Sequence, residues 1–179
     1  MKLTVPSPIQ KIYGILTFKL GADVLPKSRM LLIVCLAGFA AAVFLFQGNF
    51  YPPARAAASG IGSAVLVSAV AVGWASISGY GDRLMQTLTA LALGGGLVIF
   101  IRTVLGFFIY INPMFAELPD VNVQELAAFL LFPIYVWNVF VYAFLFRRSY
   151  RATVVIAFAV SIAVVIAVYF TVPLFFRFL

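Results

Sequence analysis

Five apolar runs, each long enough to cross a lipid bilayer, occupy almost all of this 179-residue chain. A membrane-spanning helix needs roughly 20 mostly apolar residues, because every peptide group in the hydrocarbon core must find its partner within the protein. Hydrophobic residues make up 65% of the chain and charged residues only 9%, against about 25% charged residues in an ordinary soluble domain. The sequence therefore predicts an all-α integral membrane bundle of five transmembrane helices.

The chain divides into a basic N-terminal segment, residues 1–29, and a transmembrane domain, residues 30–179. The predicted spans of that domain are 30–47, 56–78, 84–102, 126–146 and 152–172. Because a long basic segment precedes the first apolar run, we interpret this run as a retained span and not as a cleaved signal peptide.

The N-terminal segment contains a short predicted helix. Ser7 is the expected cap and Pro8 the first helical residue, and apolar residues follow at helical spacing as far as Leu16. We expect this helix to lie on the membrane surface with its lysines toward anionic headgroups, and to end at Pro26.

The distribution of basic residues predicts how the chain is threaded. Nine Lys and Arg residues fall on the side of the N-terminus and three on the other side. Cytoplasmic loops of membrane proteins carry the excess of Lys and Arg. We therefore expect the N-terminus in the cytoplasm, the C-terminus outside, and the protein in a plasma membrane, with a bacterial inner membrane as the favoured location.

The residues needed for most catalytic and metal sites are missing. Histidine is absent and Cys35 is the only cysteine, so the most common general base, the most common metal ligand and an internal disulfide are all excluded. The five acidic residues all lie outside the predicted spans. We expect no catalytic residue, no metal and no cofactor, and hence no enzyme. The basic residues that give the net charge of +7 flank the predicted spans and do not form a single patch, so we also expect no nucleic-acid partner.

The second span carries a stripe of small residues. Ala56, Gly60, Ala64 and Ser68 lie four apart, and small residues at this spacing let helix backbones approach closely. We expect this helix inside the bundle or at a subunit contact, with Gly60, Ala64 and Ser68 as packing or partner-binding residues.

The third span contains three adjacent glycines, Gly94, Gly95 and Gly96, followed by Arg102. Glycines are tolerated in a membrane helix where a neighbour packs close, so these are further packing candidates. Arg102 is expected to reach the outer interface and to extend its side chain to water there, so that it need not be buried. The aromatic residues 103–115 are expected to lie along that interface.

The fourth span carries Pro133 and Asn138, which predict a kink and a polar group in need of an interhelical partner. Arg147, Arg148 and Arg151 form a predicted basic connection to the fifth span, and they are candidate contacts for anionic lipid headgroups.

Two stretches resemble the Yip (Ypt-interacting protein) domain family. Residues 79–89 resemble its glycine-containing connection and polar helix start, and residues 147–152 after Trp137 are similar to the short basic turn before its last helix. The glycines before Leu97 lie where that family often breaks its third helix. The resemblance implies a short bacterial-type member with five spans, an inside N-terminus and an outside C-terminus. The Asp-Leu-Tyr-Gly-Pro motif and long cytoplasmic domain of the eukaryotic members are missing, so a Rab-type GTPase partner is not implied.

Three kinds of function remain open. Small-residue stripes and short loops favour a protein that acts through contacts in the membrane, as an accessory subunit or scaffold, with itself or other subunits as partners. Transporter and channel sites are also built from residues of the types found here, namely the three glycines, Pro133, Asn138 and Arg102. The basic cluster at Arg147 permits a role in binding membrane lipids.

Overall fold

The structure is a computed structural model that describes residues 7–111 and 122–177, and within them the chain is all-α. Its helices are α1 (Pro8–Leu16), α2 (Arg29–Gln47), α3 (Pro53–Ser78), α4 (Leu84–Ile111), α5 (Val123–Tyr150), α6 (Val154–Ile166) and α7 (Val172–Phe175). A π-helical turn, Ala167–Thr171, joins α6 to α7 in one continuous rod. Five rods are long and apolar enough to cross a membrane, namely α2, α3, α4, α5 and α6 with α7. The predicted five-span helical bundle is confirmed.

Helix α4 is the centre of the bundle. It contacts α2 and α5 most extensively and also reaches α3 and α1, while α6 packs on α5. Half of the residues in the apolar stretch of the α4 span are buried, a larger share than in the apolar stretch of any of the other four spans. Each of the five rods exposes large apolar residues, such as Val155 and Phe129, which suits contact with lipid.

The three adjacent glycines explain why other helices approach α4 so closely. A methyl group placed on Gly95 would overlap the Tyr142 hydroxyl of α5, and one on Gly94 would lie 3.0 Å from Val141. On the other side of α4, a methyl on Gly96 would lie 3.2 Å from the backbone of Phe39 in α2. The predicted close packing is therefore found, and the three glycines together allow both α2 and α5 to pack closely on α4. The helix runs through them without a break, unlike the broken third helix that the Yip resemblance implies.

The small-residue stripe of α3 packs only in part as predicted. Gly60 lies against the carbonyl oxygen of Ala40 in α2, 2.5 Å from where a Cβ would stand. Beyond Gly60, however, the buried row is Ser63, Val67, Ala71 and Ala75, which are also four apart, whereas Ala64 and Ser68 are only half buried. The buried row is thus the neighbouring one on the helix surface, and spacing alone does not distinguish the two rows.

Two helices end later than predicted. Helix α4 continues past Arg102 to Ile111, so residues 103–111 extend the span and do not form a separate interfacial segment, whereas 112–115 lie outside the described residues. Helix α5 runs to Tyr150, so Arg147 and Arg148 belong to its last turn and only Arg151 lies in the connection. Both differences arise because a helix need not stop where the hydrocarbon core does.

Helix α1 has the predicted cap but not the predicted end. Ser7 and Gln10 form a reciprocal capping box, yet the helix ends at Leu16, well before Pro26, as Phe18 adopts a positive φ of 62°. Its inner face packs on the bundle. Ile15 is fully buried, and the Trp137 indole donates a hydrogen bond to the Leu16 carbonyl at 3.1 Å.

Replacing Gly95 by Ala tests the close approach of α4 and α5. We expect the Gly95→Ala protein to lose about 1–3 kcal/mol of unfolding free energy in detergent, because the buried Tyr142 ring has little room to move. Gly73→Ala is the matched control, since a methyl there meets nothing within 4 Å. Denaturant titration followed by circular dichroism measures both. Equal stability of the two variants would contradict the packing described.

Candidate functional site

Arg102 is the buried charge of the bundle. Its side chain is only 8% exposed, although the sequence predicts a residue that extends to the interface. The expected extension of the side chain to water is therefore not found, whereas the expected depth of Arg102 near the outer interface stays a prediction. The reason lies in the helix face on which Arg102 stands, because Gly95 lies seven residues before it and Gly106 four residues after it. All three are buried on one face of α4, and these small neighbours allow other helices to close over the arginine.

Three aromatic rings surround the guanidinium. The Arg102 Cζ atom lies 4.2 Å from the ring centroid of Phe46 in α2 and 4.4 Å from that of Tyr135 in α5. Tyr169, in the π-helical turn, is 5.8 Å away. These are cation–π distances, so the rings stabilise the charge from their faces. We name Arg102 with Phe46, Tyr135 and Tyr169 the arginine cage.

The cage stabilises the charge without neutralising it. Arg102 Nε is buried and has no hydrogen-bond partner, and aromatic rings offer no acceptor for the in-plane N–H groups. The ion pair found among the described residues joins Asp23 to Arg148, not to Arg102. The loop acids Glu117 and Asp120 lie outside the described residues. In the described part of the chain, no three His, Cys, Asp or Glu residues are grouped as metal ligands.

A cavity of about 130 Å³ lies beside the cage. Arg102, Thr103 and Gly106 of α4 form one wall, and Asn49, Tyr110 and Ala128 are among the other lining residues. A single water needs only about 10–15 Å³ in such a space, so the cavity has room for a small polar ligand. The α2–α3 turn, which contains Asn49, places the cavity near the end of the bundle opposite α1.

Asn138 and Pro133 stand in different surroundings. Asn138 is buried beside Tyr169, close enough for an electrostatic interaction, but neither Asn138 Oδ1 nor the Tyr169 hydroxyl completes a hydrogen bond. The predicted interhelical neighbour of Asn138 is therefore present, at the edge of the arginine cage. Pro133 lies within α5 and its side chain is exposed on the outer surface, away from the cage.

The basic residues at the other end of the bundle are partly used within the chain. Arg148 Nε lies 3.6 Å from Asp23 Oδ1, and its guanidinium also donates to the Lys19 carbonyl. Arg151 lies 5.8 Å from the Tyr80 ring. Arg147 is exposed beside an apolar cleft that includes Phe144. Of the three predicted headgroup contacts, Arg147 is the one best placed toward the surroundings.

A shallow groove of about 650 Å³ runs between α2 and α3 on the outer surface of the bundle. Small residues line both walls, with Ala37 and Ala40 from α2 and Ala64 and Ser68 from α3. The groove has no charged residue in its lining. It therefore brings together the part of the predicted stripe that the internal packing leaves half exposed.

Comparisons with protein-family models, with curated proteins and with solved structures find no match for this chain. The candidate site consequently rests on geometry. The aromatic members of the cage come from three different helices, and no spacing in the sequence relates Phe46 to Tyr169. The spacing of Gly95, Arg102 and Gly106 is the signal that predicts burial of the arginine.

Replacing Arg102 by Met tests whether the charge serves the fold. We expect Arg102→Met to keep its unfolding free energy in detergent or to gain about 1–2 kcal/mol, because removing a buried charge relieves its desolvation cost. Arg55→Met is the matched control. Arg55 Nε donates to the Pro173 carbonyl at 3.0 Å, and losing that bond should cost about 1 kcal/mol. A larger loss for Arg102→Met than for Arg55→Met would make Arg102 a structural residue.

Proposed function

We propose that this protein is a non-enzymatic membrane protein that acts through contacts with other transmembrane helices, as an accessory subunit or scaffold. The observation that supports this function is the groove between α2 and α3. Helix association in lipid depends on close packing, because the hydrophobic effect does not distinguish a helix neighbour from lipid tails. Small residues on both walls of a surface groove provide the close approach that such packing needs.

A transmembrane helix is the occupant that suits this groove. The walls of the groove contain alanines and Ser68, whose side chains are short, and larger residues such as Ile61 and Val65 lie beside them. A ridge of side chains from another helix can pack into the groove between these larger residues. A second copy of this chain is the first partner to test, since the same surface on two copies can pair about a two-fold axis.

Transport of a small molecule or lipid is the second candidate function. The arginine cage and the buried Asn138 support it, because ionisable groups inside a membrane bundle mark ligand or ion pathways. The packing at the middle of the bundle does not favour an open pore, since Tyr142 is fully buried against Gly95. Transport would therefore require α4 and α5 to separate.

The Yip resemblance and the bacterial inner membrane remain part of this proposal. Five spans and a tight connection at Gly79, which adopts a positive φ of 73°, are compatible with the resemblance. The continuous α4 departs from it. Membrane lipids surround the bundle whichever partner it takes.

Enlarging the groove residues tests the proposed contact. We expect the double variant Ala64→Leu/Ser68→Leu to lose its partner, because leucines fill the space that a neighbouring helix would occupy. Ala163→Leu, at an exposed position of α6, is the matched control. Gly60→Leu is not suitable for this test, since Gly60 packs inside the bundle on Ala40.

The measurement is the mass of the complex in mild detergent by light scattering, with identification of co-purifying proteins. Loss of a dimer in the double variant alone supports self-association, and loss of a stoichiometric companion supports a subunit role. If the double variant and Ala163→Leu retain the same mass and companions as the wild type, the groove only contacts lipid and the proposal fails.

The threading is tested separately. We expect a reporter fused after Leu179 to be active outside the cytoplasm and one fused before Met1 to be active inside, because nine basic residues fall on the N-terminal side against three on the other. A cytoplasmic signal from the C-terminal fusion would contradict this orientation.

A further inference from the structure

We propose that Arg102 and the cavity beside it bind a small anionic group, a phosphate or a carboxylate. This inference goes beyond the proposed function and does not depend on the α2–α3 groove. It begins from a guanidinium that is almost fully buried, lines a cavity, and has an Nε atom without a partner.

The charge of Arg102 calls for an anion. An unpaired charge in a nonpolar interior is costly, and buried charges in proteins are paired or hydrogen-bonded. Phe46 and Tyr135 lie about equally far from the guanidinium, at 4.2 and 4.4 Å, and they interact with its charge. They do not supply the hydrogen-bond acceptor that Nε lacks. A carboxylate or phosphate supplies two oxygens in the arrangement that a guanidinium fork matches.

The shape of the site allows such a group to reach the arginine. The open space of about 130 Å³ is larger than one or two waters require. Gly106 and Ala128 have no side chain or only a methyl group, so they leave space on two sides of the cavity. Ala128 is itself exposed, so the cavity communicates with the surroundings of the bundle at this point.

The depth of the site places two sources of anion within reach. Arg102 follows Leu84 by 18 residues of continuous helix, which is a rise of about 27 Å and nearly the thickness of the hydrocarbon core. If α4 begins at one boundary of the core, Arg102 stands near the other, where lipid phosphates and water both occur. The anionic group therefore belongs either to a lipid headgroup or to a free small molecule.

The experiment has one arm for each source. In the first arm, delipidated protein in a neutral detergent is titrated with sodium phosphate and with sodium acetate, and binding is followed by calorimetry. In the second arm, protein from vesicles of phosphatidylcholine and phosphatidylglycerol is examined by native mass spectrometry for bound phospholipid. Saturable binding of one anion in either arm supports the proposal, and the arm that shows it identifies the source.

Two variants locate the binding. Arg102→Gln should weaken it by roughly tenfold or more, as expected when one charge-assisted contact is lost. Ala128→Phe should weaken it similarly while leaving Arg102 in place, because the ring fills the cavity. Since residue 128 is exposed, this second variant keeps the test valid even if Arg102→Gln fails to fold. Arg55→Gln, at the same end of the bundle but outside the cavity lining, is the charge-matched control and should bind as the wild type does.

Three results would overturn the proposal. The first is a wild-type protein that binds neither phosphate, acetate nor phospholipid. The second is binding that Arg102→Gln and Ala128→Phe both leave unchanged. The third is binding that appears only in the double variant Glu117→Gln/Asp120→Asn, because a carboxylate of this chain would then be the partner of Arg102.

Discussion

The close approach of α2 and α5 to α4 is the constraint on which the rest of the bundle depends. Gly94 and Gly95 leave space for side chains of α5, and Gly96 leaves space for the backbone of Phe39 in α2. In lipid this packing must come from van der Waals contact, because burial of apolar surface favours a helix neighbour no more than it favours a lipid tail. The glycines therefore determine which helices are neighbours, and the same packed face carries Arg102 into the interior.

Among the described residues, the buried charge of Arg102 has no acidic partner. The aromatic rings of the cage come from α2, α5 and the π-helical turn, so three separate parts of the chain meet at this one residue. π-Helical turns are uncommon and occur often at functional sites. Here the turn contains Tyr169, whose ring faces the arginine and which also neighbours Asn138.

Hydropathy predicts the five spans, because their length and composition follow directly from the thickness of the hydrocarbon core. It does not predict where a helix stops once it leaves that core, and residues 103–111 show this. The depth of Arg102 along its helix also follows from counting residues, but its burial depends on which neighbours cover it. The stripe on α3 shows the same limit, since the spacing of Gly60 and Ala64 does not reveal that Gly60 is buried against α2 while Ala64 is only half buried.

The hydrogen bond from Arg55 to the Pro173 carbonyl connects the start of α3 to the last turn of the final rod. These residues are 118 positions apart, so this hydrogen bond can form only after the intervening chain has been synthesised. Helix α3 also contacts α6, the π-helical turn and α7. The second and fifth crossings are therefore joined by a contact that is remote in sequence, and it depends on the correct placement of the three crossings synthesised next to and between them.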